Sequence, residues 1–348
     1  MSHENGRRKQ VQVSEKTEMS YLLDNKSNGM ADKNKQGEYY SRPAKLGKWE
    51  GFKQFLWNSE TSEMLGRTGG SWAKILLFYV IFYAVLAGFF AAMLAVFYQT
   101  LDENKPKWQL DNGLIGSNPG LGFRPMPPES NVESTLVWFE ASKDENIEYW
   151  IGAIDEFLDV YKKADEDTRA QSNRVDCTPD TPPKDGKVCR VDTTSAKFGA
   201  CTKANQYGYS KGSPCVFLKL NKIYNWVPQY YNKTSELPNN MPEDLKTLIE
   251  GFDENDKKHE VIWVSCEGEN PADIENLGPI NYIPERGFSG YYFPFLNQKN
   301  YLPPVLAINF ERPKTGVLIN IECKAWARNI NHDRAERRGS VHFELMVD

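Results

Sequence analysis

The sequence predicts one membrane-spanning α-helix followed by a mainly-β domain, an antiparallel sheet or sandwich carrying an added long helix. Three observations carry that prediction. Ile75 to Tyr98 is a run without a charged residue in a chain that is otherwise polar. Two later segments alternate apolar and polar residues with the two-residue period of a half-buried strand. All six cysteines, Cys177, Cys189, Cys201, Cys215, Cys266 and Cys323, lie after the apolar run, as expected of a region that folds in an oxidising compartment.

Residues 1–74 are expected to form a cytoplasmic tail. Up to about residue 50 it is rich in Lys, Asn, Glu, Ser and Gly and cannot bury enough apolar surface to offset backbone entropy, so most of it should be disordered. The stretch KWEGFKQFLWNSETSEMLG is more amphipathic, through Phe52, Phe55, Leu56 and Trp57. It reads equally as a segment lying along the inner membrane face beside Trp72 and Lys74, or as a plain linker.

The 24 residues from 75 to 98, at about 1.5 Å each, give roughly 36 Å of helix, enough to cross a bilayer core with some tilt. A cleaved secretory signal would be shorter and nearer the start. A buried core helix would show polar residues over so long a run. Residues 1–74 hold 13 Lys and Arg against 9 Asp and Glu, and residues 99–348 hold 29 against 38. Close to the helix the contrast is weaker, with Arg67 and Lys74 before it and Lys105 and Lys107 after it. The charge bias therefore modestly favours a cytoplasmic N-terminus, and the cysteines argue the same way more strongly. Asn232-Lys233-Thr234 is the one glycosylation sequon on the outer side. Asn25-Lys26-Ser27 would face the cytosol unmodified.

Residues 99–130 contain NGLIGSNPGLGFRPMPPES, where Gly and Pro interrupt regular elements, and are expected to form an extended stalk. Residues 131–348 should form the outer disulfide-bonded domain. Ile147, Trp150, Ile151, Ile154, Leu158 and Tyr161 recur at helical spacing with carboxylates between them, which predicts one long amphipathic helix. In TGVLINIECKAWA, Val317, Ile319, Ile321, Cys323 and Ala325 share one strand face, and in VHFELMV so do Val341, Phe343, Leu345 and Val347. PCVFLKLNKIY, HEVIWVSCEG and PPVLAINFE are further strand candidates.

Six cysteines allow 15 pairings, and sequence alone does not choose among them. Closing nearest neighbours would leave Cys266 and Cys323, centred in strand patterns and able to clamp sheet to sheet. A zinc site is disfavoured because no cysteine pair has two-residue spacing and only three histidines lie beyond the helix. Enzyme signatures are weak. Asp165-Glu166-Asp167 fits the metal-binding DxD of glycosyltransferases, but sits at the polar end of the long helix, where a solvated charge cluster is the ordinary outcome. Ser71-Trp72-Ala73-Lys74 lacks companion motifs, and no P-loop, H-E-x-x-H or dinucleotide-binding loop is present.

The apolar helix carries a stronger signal. At 100° per residue Tyr79, Tyr83, Ala87, Ala91 and Ala95 form a stripe with Phe82 beside it, while Ala84, Gly88 and Ala92 form a small-residue groove on the other side. A helix that only anchors needs neither surface. Tyrosine hydroxyls at mid-depth are costly in lipid unless a partner accepts their hydrogen bonds.

GRTGGSWAKILLFYVIFYAVLAGFF, then YGYSKGSPC at 207–215, YYFPFLNQKNYLPPVLAINF at 291–310 and IECKAWARNI at 321–330 together resemble the beta subunits of the sodium/potassium pump. The resemblance runs from about Gly66 to the C-terminus, and all six cysteines fall at family positions. It implies nearest-neighbour disulfides and an immunoglobulin-like sandwich interrupted by a long helix. It also implies a single-pass type II plasma-membrane glycoprotein with Asn232 as its glycan site.

The function so implied is accessory, with no catalytic residue, cofactor or metal. Such a subunit assembles with the catalytic alpha subunit, supports its folding and delivery, and tunes potassium affinity. A small single-pass regulatory subunit and membrane lipid are further implied partners, and nucleic acid is not one. By the same resemblance Tyr79, Phe82, Tyr83 and Gly88 contact the alpha subunit in the membrane, and Tyr291, Tyr292, Phe293, Pro294 and Phe295 contact it outside. Where the family commonly has Y-Y-P-Y-Y, residues 292–296 read Y-F-P-F-L, which keeps aromatic faces and loses hydroxyls. The beta subunit of the proton/potassium pump shares much of this scaffold.

Overall fold

A computed structural model of the chain describes residues 47–348 apart from 129, 131–133, 185, 232, 253–255, 334 and 337. Most of the expected tail, including the Asn25 sequon, and the expected glycan site Asn232 lie outside the described residues. The chain divides into two compact units, ending and beginning at Val96 and Phe97.

In the first unit, helix α1 (Lys48–Leu56) leads into three short antiparallel strands, 57–58, 63–64 and 67–68, and then into helix α2 (Gly69–Gln99). Helix α2 starts earlier than the apolar run because Gly69 to Lys74 continue the helical path, with the Trp72 indole donating to the Met64 carbonyl at 2.8 Å. None of its residues is buried within the chain. It is long and apolar enough to cross a membrane.

The second unit contains, in order, β1 (Leu121–Arg124), β2 (Leu136–Phe139), α3 (Asp144–Glu166), β3 (Cys215–Leu220), α4 (Glu243–Glu250) and β4 (Val261–Gly268). There follow α5 (Pro271–Leu277), β5 (Ile280–Ile283), β6 (Gly287–Ser289), β7 (Val305–Phe310), β8 (Ile319–Trp326) and β9 (Ser340–Val347). A four-stranded sheet has the order β5-β7-β3-β1 and a five-stranded sheet the order β6-β4-β8-β9-β2. All pairings in the two are antiparallel except β2 with β9, which is parallel.

Alternation explains which sides face in. Ile319, Ile321, Cys323 and Ala325 are buried while Asn320, Glu322 and Lys324 between them are not, and Phe343, Leu345 and Val347 repeat the pattern on β9. These faces meet the other sheet, where Phe123 stacks on Phe343 at 4.9 Å and Phe310 meets it edge-on at 6.2 Å. Strand β7 is buried at every position, as expected of a strand covered on both faces.

Helix α3 buries Ile147, Trp150, Ile154, Leu158 and Tyr161, each contributing about 1.5–3 kcal/mol of transfer free energy. Its polar tips are satisfied: the Trp150 indole donates to the Trp138 carbonyl at 2.8 Å and the Tyr161 hydroxyl to the Pro303 carbonyl at 3.0 Å. A smaller cluster, including Leu245, Ile249, Trp263 and Trp326, lies under α4.

Two features differ from what the sequence suggests. Residues 121–124, inside the expected stalk, form β1 and pair with β3 from Leu121 opposite Leu220 to Arg124 opposite Phe217. The disulfides are Cys177–Cys189, Cys201–Cys215 and Cys266–Cys323, but the last does not clamp sheet to sheet. Cys266 and Cys323 sit directly opposite each other on β4 and β8 of one sheet, with Cα atoms 4.0 Å apart. The register that aligns the two buried faces leaves both side chains pointing the same way from adjacent strands.

Candidate functional site

Two surfaces hold the residues singled out by the sequence. On α2, Tyr79 and Tyr83 stack at 6.1 Å, and Phe82 meets Tyr83 edge-on at 5.3 Å. The three rings are about half exposed, so one turn of helix presents a continuous aromatic ridge. This is the geometric result of placing rings at i, i+3 and i+4. A methyl group at Gly88 would meet nothing within 4 Å, so that side of the helix is open to close approach by another backbone. What the two faces offer is shape and two phenolic hydroxyls.

In the second unit, Gly290–Tyr292 form a single 3₁₀ turn that leads into Phe293, Pro294 and Phe295. All five aromatic-run residues from Tyr291 to Phe295 are half-buried, and the structure shows why. The Tyr292 hydroxyl donates to the Arg190 carbonyl at 3.2 Å, and burial pushes its phenol pKa up. Phe293 meets Trp226 edge-on at 5.8 Å, and Phe295 lies between Tyr301 at 5.0 Å and the Lys222 ammonium at 5.1 Å. The Asn225 amide donates to the Phe295 carbonyl at 2.8 Å. These contacts hold Tyr292, Phe293 and Phe295 within the chain, and the two Phe side chains need no hydroxyl to hold their places. A cavity of about 320 Å³ opens beside Tyr291, Phe293 and Pro294, with Pro182 and Pro183 on its other wall. The supporting residues Lys222, Trp226 and Tyr224, which meets Phe295 edge-on at 6.4 Å, were not singled out from sequence. Their aromatic spacing in NKIYNW was the only local sign of them, since the contact spans about 70 positions.

The 207–215 motif is structural. Tyr207 is buried, and its hydroxyl donates to Asp155 on α3 at 2.6 Å. Lys203 binds the other oxygen of that carboxylate. Burial alone would raise the Asp155 pKa, but these two partners outweigh it and hold the carboxyl below its usual range. Gly208 adopts φ +78° against the Ser213 carbonyl, where any Cβ would clash, and Cys201–Cys215 closes the same turn. The motif thereby bolts α3 to the start of β3.

Two acids of the Asp165-Glu166-Asp167 triplet are likewise engaged within the fold. Asp165 pairs with the Arg174 guanidinium at 3.5 Å, and Asp167 caps the following turn through the Arg169 amide at 2.8 Å. Arg174 is half-buried, the desolvation lowers its pKa, and it also donates to the Asn300 carbonyl. Among the described residues no three His, Cys, Asp or Glu side chains are grouped to hold a metal ion.

Comparisons with known proteins agree with one another. The family model for the sodium/potassium ATPase beta chain matches residues 42–343. The chain is 52% identical over 312 residues to the sodium/potassium-transporting ATPase subunit beta-2 of Drosophila melanogaster, covering 89% of this chain and 96% of that protein. It is 39% identical to subunit beta-1 of the same organism over 93% of this chain and 99% of the relative. To human subunit beta-2 it is 31% identical, over 86% and 94%. An apolar helix bearing an aromatic ridge, a three-disulfide β domain and matches along most of the sequence all lead to one assignment: the chain belongs to the sodium/potassium ATPase beta chain family.

Proposed function

We propose that this chain is a non-catalytic beta subunit of a sodium/potassium pump, paired with a catalytic alpha subunit in the plasma membrane. The observation that carries the reading is the ridge of Tyr79, Phe82 and Tyr83 on a helix with no buried residue among those described. Such a ridge suits a second membrane helix that accepts the two hydroxyls, and the open side at Gly88 suits close packing. The N-terminus is cytoplasmic in this reading, and the outer domain is an immunoglobulin-like sandwich glycosylated at Asn232. The exposed halves of Tyr291 to Phe295 receive an extracellular segment of the alpha subunit. A small single-pass regulatory subunit is a further partner.

The subunit assists folding, assembly and surface delivery of its partner. It also shifts potassium affinity by binding one conformation of that partner better than another. A differential of about 1–2 kcal/mol changes apparent affinity by about 5–30 fold. The test is to replace Tyr79 and Tyr83 together by Leu and measure potassium activation of the assembled pump. The proposal expects a shifted activation curve. An unchanged curve would refute packing through the tyrosine ridge as the mechanism.

A further inference from the structure

Helix α1 and the short strands after it form more than a connection. At 100° per residue Trp49, Phe52, Phe55 and Leu56 share one face of α1, Lys53 stands at one edge of it, Lys48 falls within it at the first residue of the helix, and Glu50 and Gln54 point the opposite way. No residue of α1 is buried in the chain. Trp49 is 69% exposed, and Phe52, Phe55 and neighbouring Trp57 are at least half exposed. The Trp49 and Phe52 rings stack at 6.0 Å, making one apolar plate. A nine-residue helix is marginal in water without a surface to lie on, and among the described residues this one leaves its aromatic side largely exposed.

What covers that side is indicated by how the segment is held. The Leu65 amide donates to the Leu56 carbonyl, folding the chain back past the end of α1. Strand 63–64 then pairs with strand 67–68, which runs directly into α2, and the Trp72 indole donates to the Met64 carbonyl at 2.8 Å. The plate is therefore tied to the first turn of the apolar helix within one compact unit. Lys48, Lys53, Arg67 and Lys74 outnumber Glu50, Glu60 and Glu63 over residues 47–74. Tryptophan and phenylalanine between flanking lysines suit a headgroup region, where the rings sit below the phosphates and the ammonium groups reach up to them.

We propose that α1 lies in the bilayer surface at the N-terminal end of α2, its aromatic face in the lipid interface and its lysines on anionic headgroups. This interfacial foot fixes the depth and tilt of the helix that presents Tyr79 and Tyr83. The inference rests on α2 spanning the membrane, and goes beyond subunit pairing.

All six cysteines are in disulfides, so an introduced cysteine can be labelled alone. The full chain carrying Trp49→Cys, Phe52→Cys, Glu50→Cys or Leu86→Cys, each bearing an environment-sensitive fluorophore, is reconstituted into nanodiscs of phosphatidylcholine and phosphatidylserine. Shallow spin-labelled lipid should quench the labels at 49 and 52 several-fold more than the label at 50, and aqueous iodide should do the reverse. Iodide quenching at 49 and 52 equal to that at 50 would place the face in water. Protection from both quenchers would place it against protein. Either result overturns the proposal while leaving the spanning reading intact, provided deeply spin-labelled lipid quenches the label at 86. Failure of that control overturns both.

Discussion

Replacing Tyr207 by Phe isolates the bolt between α3 and the 207–215 turn. The ring itself stays, since Tyr207 is 1% exposed and packs edge-on against Phe217 at 5.9 Å. What is lost is one hydrogen bond to a carboxylate that keeps its second partner, Lys203. A bond to a charged group contributes about 1.5–3 kcal/mol net, and the solvated Lys203 ion pair, at about 0–1 kcal/mol, replaces little of it. In a unit of this size each kcal/mol moves the midpoint by about 2–4 °C, so the variant should melt about 3–12 °C lower at neutral pH.

The sign of the pH dependence follows from the depressed Asp155 pKa. The stabilisation is fully present above the unfolded carboxyl pKa and disappears as pH falls through the lower folded value. The gap between wild type and variant should therefore narrow in acid below about pH 4. Thermal unfolding of the purified full-length chain in detergent, followed by near-ultraviolet circular dichroism at both pH values, measures it. A gap under about 1 °C at neutral pH, or one unaltered by acid, would refute the reasoning.

Gly208→Ala should be far more damaging than Tyr207→Phe. A Cβ there runs into the Ser213 carbonyl at a left-handed φ, and relief requires moving backbone. Loss of mature glycoprotein at the cell surface, with retention of the chain in the endoplasmic reticulum, is the expected readout. Among paired Cys→Ser variants, removing Cys266–Cys323, which spans 57 residues, should cost about 4 kcal/mol. Removing Cys177–Cys189 or Cys201–Cys215, spanning 12 and 14, should cost about 3. Denaturant titration of the three variants checks the order. Phe293→Ala should loosen Trp226, its edge-on neighbour at 5.8 Å, and lower the midpoint, whereas Leu296→Ala, on an exposed side chain, should change the unfolding free energy by less than about 0.5 kcal/mol.

Elements with a strong pattern of their own were legible from their own residues. The uncharged run marked α2, the apolar spacing from Ile147 to Tyr161 marked α3, and two-residue alternation marked β8 and β9. Strand β1 was not legible, because Gly120, Gly122 and Pro125 look like breakers, and only the ladder to β3, about 95 residues away, holds it extended. The same limit applies to β2, whose parallel partner β9 closes a crossover of about 200 residues.

The partner of Cys266 followed from family resemblance, but its placement within one sheet followed from register, which local pattern does not encode across strands. On the candidate surfaces, side-chain type revealed the tyrosine ridge on α2. The half-buried state of Tyr291 to Phe295 depended on residues 222–226, which carry no motif of their own.

Affinity purification of the full-length chain from intact membranes in a mild detergent, with mass spectrometry of whatever accompanies it, tests the pairing most directly. Recovery in equal amounts with a polytopic cation-pump catalytic subunit is predicted, and loss of that companion when Tyr79, Phe82 and Tyr83 are replaced together. A chain that reaches the cell surface folded and migrates alone would contradict the account.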